Sequence, residues 1–93
     1  MADYTFHWWP AKDRSVSTPH VTLGAQSHLH GAALALRQFV SLGCDLGAPL
    51  AHIDMIEPGG ASQTLLVDEV LEWLQRPEQR AFVEREQLRD LLH

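Results

Sequence analysis

Six histidines stand in a chain of 93 residues. Imidazole is the side chain best suited to ligate a transition metal or to move a proton near neutral pH. His7, His20 and His52 each lie in a segment where apolar and polar residues alternate, and each occupies the polar phase. Asp54 shares the phase of His52. Successive side chains on a strand point to opposite faces. If the three segments belong to one sheet, His7, His20, His52 and Asp54 share its outer face. Neutral imidazoles and a carboxylate there could hold zinc or iron, with His7, His52 and Asp54 as the candidate ligands. The competing reading is a solvated sheet face, where alternating polar residues are expected anyway. It carries more weight, because residues on separate strands need not converge within bonding distance.

Other chemistry is weaker. His28 and His30, two apart at the start of a helix, diverge by about 200° and cannot chelate together. Cys44 follows a helix C-terminus and precedes Asp45, both of which oppose the thiolate that a nucleophile requires. One cysteine excludes an internal disulfide framework and fits a reducing cytoplasm. "EPGGAS" has glycines but lies in a hairpin pattern with no lysine after it, so it does not read as a phosphate loop. The residues imply no cofactor, and they favour a non-enzymatic role.

The elements that position these residues follow from periodicity. Tyr4, Phe6 and Trp8 alternate with Thr5, His7 and Trp9, predicting a strand over residues 3–9 that Pro10 ends or confines to an edge. A polar loop follows, then a second strand from about Val16 to Gly24 with Val21 and Leu23 inward and His20 and Thr22 outward. Ser27 is a fitting N-cap. Leu29, Ala32, Ala33, Leu36, Phe39 and Val40 then follow helical spacing, and Gly43 is placed to end that helix in a left-handed conformation. Gly31 in the first turn costs helix propensity and suggests a close approach to the sheet.

Residues 48–67 read as a hairpin, with Pro58 and Gly59 at the centre of a type II turn. Thr64 to Val67 offers apolar residues in both phases, so its inward set stays open. From Asp68, a potential cap, Val67, Val70, Leu71 and Leu74 form a stripe with Trp73 at its border. Pro77 suits the first turn of a further helix, which places Ala81, Phe82, Leu88, Leu91 and Leu92 near one side. The order is β-β-α-β-β-α-α with short connections, which favour antiparallel pairing. The expected fold is a single α+β domain over residues 1–93, a four-stranded, largely antiparallel sheet with helices on one face.

The adjacent tryptophans then matter most. Trp8 aligns with the core set, so Trp9 projects on the opposite face beside His7. Between residues 15 and 53 only Arg37 and Asp45 are charged. Interface cores are similarly charge-poor, and tryptophan is enriched at binding hot spots. The reading is a small interaction module that pairs with another protein, most simply a second copy. The contact would be an open sheet face or edge carrying Trp9, His7 and Thr22.

The formal net charge of −5, without a basic stripe, disfavours nucleic acid. No apolar run suits a membrane span and MADYTF lacks a signal-peptide pattern, so the expected location is cytoplasmic. Six arginines to one lysine, with abundant alanine, fit a bacterial coding bias.

Overall fold

The computed structural model describes residues 2–9, 19–48 and 51–92. Strands β1 (Ala2–Trp9) and β2 (His20–Ala25) precede helix α1 (His28–Ser41). Strands β3 (His52–Ile56) and β4 (Ser62–Leu66) lead directly into α2 (Val67–Leu74), and α3 (Arg80–Arg85) follows. Single 3-10 turns at Pro77–Gln79 and Arg89–Leu92 flank α3. The expected start of the second strand at Val16, together with Pro10 and its polar loop, falls outside the described residues.

The strands form one antiparallel sheet in the order β2-β1-β3-β4. This is the α+β arrangement that the alternation predicts. Phe6 and Trp8 of β1, Val21 of β2, Ile53 and Met55 of β3 and Leu65 of β4 share one buried cluster with residues of all three helices. Trp8 is 3 % exposed and its ring lies 5.6 Å from that of Phe39 in α1. The helices therefore cover the face that carries Phe6 and Trp8.

Helix α1 begins as its sequence predicts. The Ser27 hydroxyl accepts from the backbone N–H of His30, satisfying one of the free amides of the first turn. At its other end Gly43 takes a φ of 92°. The Gly43 amide donates to Val40 and that of Cys44 to Phe39, the paired bonds of a Schellman motif. The buried side of α1 differs from the expected stripe. Ala35 is fully buried, whereas Val40 is 45 % exposed and Leu29 only half-buried. The helix rests on its smallest residues, Gly31, Ala32 and Ala35, so the backbone comes close to the sheet and turns Val40 outward.

Three further details depart from the sequence reading. In the β3–β4 hairpin the positive φ belongs to Gly60, not Gly59. The Gly60 amide donates to Glu57 and that of Glu57 to Ala61, which makes a type I turn closed by a left-handed glycine. Asp68 does not cap α2, whose N-cap is Leu66 without a side-chain bond. The Val67 amide donates instead to Ala51, so β4 passes into α2 with that donor already satisfied. Asp68 and Glu69 occupy the first turn, where negative charge suits the helix dipole. In α3 Val83 is buried and Ala81 exposed, because Phe82 and Val83 together meet the core. The Arg37 guanidinium ties α1 to this segment by donating to the Glu86 carbonyl.

A Cβ at position 31 would stand 3.0 Å from Phe6 Cζ and 3.3 Å from Ala25 Cβ. Gly31→Val is expected to destabilise the fold by about 1–3 kcal/mol through overpacking, despite the better helix propensity of valine. Urea unfolding midpoints of the two proteins measure this.

Candidate functional site

The face opposite the helices is built from the outward phase of all four strands. Pairing arranges it in four rows, the shortest being Asp3 with Gly24 at one end of β1. His20, His7, Asp54 and Thr64 form the central row across β2, β1, β3 and β4. Thr22, Thr5, Ile56 and Ser62 form a second, on one side of it. Trp9, His52 and Leu66 form the third, on the other side. The side chains of these rows are exposed or half-buried except His52, which is 7 % exposed between Trp9 and Leu66.

Asp54 organises this face. Its Oδ2 accepts the Trp9 indole N–H at 3.0 Å, and its Oδ1 accepts the Thr64 hydroxyl at 2.8 Å. One carboxylate thus joins three strands, and bonds to an ionised acceptor are stronger than neutral ones. Trp9 leaves the core because Trp8 enters it, and its polar edge finds this acceptor. Beside them the His7 and His20 rings stack at 5.2 Å. Thr5 and Thr22 share a hydroxyl hydrogen bond of 2.9 Å.

His7 and Asp54 are direct cross-strand partners, and His52 lies one diagonal step away opposite Trp9. The His7 ring associates with β2 through His20, whereas the Asp54 carboxylate turns to Trp9 and Thr64. Among the described residues no three His, Cys, Asp or Glu side chains are grouped so as to hold a metal ion. Of the expected contact residues, Trp9 and His7 stand on adjacent rows, and Thr22 lies at the β2 edge of the sheet.

Thr64, Ile56 and Leu66 belong to the face although sequence reasoning did not select them. Leu66 is 44 % exposed. Its outward position follows from the hairpin register that pairs it with His52. The only formally charged residues in the outward phase of the described strands are Asp3 and Asp54.

A separate group of rings holds the helices together on the other side. His30 meets Trp73 at 5.1 Å and Phe82 at 4.5 Å, both edge-on. Its Nδ1 lies 2.6 Å from the Ser27 hydroxyl. Burial lowers the His30 pKa from 6.5, and the nearby Arg85 guanidinium lowers it further. Burial pushes the half-buried Cys44 thiol the other way, upward, which suits a small apolar filler rather than a nucleophile.

Comparison with family models, with curated proteins and with solved structures finds no match to this chain.

Two outcomes follow from this geometry. Asp54→Ala is expected to cost about 1–3 kcal/mol by removing both hydrogen bonds. Asp54→Asn should cost less than half of that, because an amide can accept from Trp9 and donate to Thr64. Denaturant unfolding followed by tryptophan emission distinguishes the two. His30 is more acidic when folded than when unfolded, so the unfolded chain binds the proton first. Its contribution is complete above pH 6.5 and declines as the pH falls through the lowered folded value. Wild type should therefore lose stability relative to His30→Gln as the pH is lowered from 6.5, in parallel urea titrations.

Proposed function

We propose that this chain is a small non-enzymatic interaction module that pairs with a second copy of itself. The contact is the open sheet face or its adjoining edge, on the side of Trp9, His52 and Leu66. The observation that carries this reading is the exposed Leu66, aligned with Trp9 across His52 on a face nearly without charge. Charge depletion is the compositional mark of an interface centre. Asp54 does not oppose coverage, since each of its oxygens already accepts a hydrogen bond, and a satisfied carboxylate is less costly to bury than a bare one. A domain of this length buries limited surface by itself, and association adds to it. The half-buried cysteine fits a reducing, cytoplasmic setting.

Light scattering on the eluting protein is expected to give twice the chain mass. Leu66→Lys, a change at an exposed position, should weaken the dimer at least tenfold while leaving the far-ultraviolet spectrum unchanged. A monomer at all concentrations tested rejects this reading. Elemental analysis of the same sample reads whether the protein carries stoichiometric metal, as a site at His7, His52 and Asp54 would require.

A further inference from the structure

We infer that the second copy joins at the free edge of β4, strand against strand, on a two-fold axis through Thr64. This rests on the self-association proposed above and specifies its geometry. The argument begins with which backbone groups of β4 are free. The Glu57 amide donates to Ala61 at one end of the hairpin, and the Val67 amide donates to Ala51 at the other. In an antiparallel pair, hydrogen-bonded and non-hydrogen-bonded positions alternate. Ala61, Gln63, Leu65 and Val67 therefore turn their N–H and C=O groups toward β3. Ser62, Thr64 and Leu66 turn theirs outward, and β4 is the end strand of the sheet.

All three of these residues, and Gln63 between them, are exposed. Between Ser62 and Leu66 there is no charge, no proline and no bulge. Those are the usual devices that keep an edge from pairing. An axis through Thr64 is the register that aligns the full length of β4 with its copy. Thr64 then faces Thr64 of the partner subunit, and Ser62 faces Leu66 of the partner subunit. About six new backbone hydrogen bonds form from groups that have no backbone partner among the described residues. Two four-stranded sheets become one of eight strands.

The side chains agree with this register. A two-fold axis normal to the sheet keeps the open faces on the same side. Leu66 of one copy then lies beside Ser62 of the other, whose own neighbour is Ile56. The row Trp9–His52–Leu66 of one copy runs on across the joint toward Ser62 and Ile56 of the other. Asp68 and Glu69 belong to α2, beyond the end of the paired strand, so neither acid stands in the new ladder. At the other edge, β2, Thr22 hydrogen-bonds to Thr5 and the His20 ring stacks on His7, and no exposed large apolar residue stands on that strand.

Two measurements test the register on the full chain in a Cys44→Ser background. Thr64→Cys should cross-link to a dimer with a two-carbon bis-methanethiosulfonate, since partners across a hydrogen-bonded pair are about 5.5 Å apart. Ser62→Cys should not, since its two copies would be about 14 Å apart. Ser62→Pro removes an outward donor without breaking a bond to β3, and should weaken dimerisation at least tenfold with the fold retained by circular dichroism. A dimer that survives Ser62→Pro, is lost in Leu66→Lys and does not cross-link through Thr64→Cys overturns the edge geometry and leaves face-to-face pairing standing. A wild-type monomer overturns both. Cross-linking through Thr64→Cys but not Ser62→Cys, in a dimer sensitive to Ser62→Pro, supports the register.

Discussion

Strand β1 is hydrogen-bonded along both of its sides, to β2 and to β3, and the structure depends on that double constraint. A slip of one residue would exchange its faces and bring Thr5, His7 and Trp9 into the core. It would also have to break two ladders at once. Phe6 and Trp8 are nearly inaccessible to solvent in the register found, so the slipped arrangement loses the largest side chains of the core. With the phase of β1 fixed, the phases of β2 and β3 follow from pairing, and that of β4 from β3. The position of Trp9 is then no accident of its own sequence neighbourhood. It is the residue that a tightly placed Trp8 sends to the other side.

The helical layer and the open face answer to different demands. Beneath α1 the sheet meets glycine and alanine, and the two layers come together closely where Phe6 reaches Gly31. On the other face the side chains satisfy one another laterally, threonine with threonine, imidazole with imidazole, indole and hydroxyl with carboxylate. Such a face is ordered without being covered. Its polar centre is locked in place, and its exposed apolar residues lie to the two sides of that centre.

Much of this was legible in the residues, for specific reasons. The alternation in β1 is strong because aromatic residues fill one phase, so the roles of Phe6 and Trp8 could be read directly. Ser27 and Gly43 mark the ends of α1 because capping is local chemistry. Thr64 to Val67 could not be resolved the same way, since Leu65 and Leu66 suit either face. Only the pairing of Val67 with Ala51 and its entry into α2 decide that Leu65 turns inward. "PGG" fits both a type II turn at Gly59 and a type I turn ending in Gly60, and the register of β3 against β4 selects the second. The bond from Trp9 to Asp54 had no sequence signal, because it requires β1 to lie beside β3, and linear spacing does not reveal strand order. The same ignorance of order left the histidines as candidates for one metal site.

The strand order also has a kinetic meaning. β1 and β2, and β3 and β4, are hairpin neighbours whose pairing is comparatively local. The seam between β1 and β3 joins residues as much as 51 apart, Thr5 and Ile56, and it includes the bond from Trp9 to Asp54, 45 residues on. Closing a loop of that length carries an entropic cost that neither hairpin bears alone, and distant pairings of this kind slow the formation of a sheet. That central seam therefore carries the largest closure cost in the sheet, and the indole that straddles it ties the two halves together once they meet.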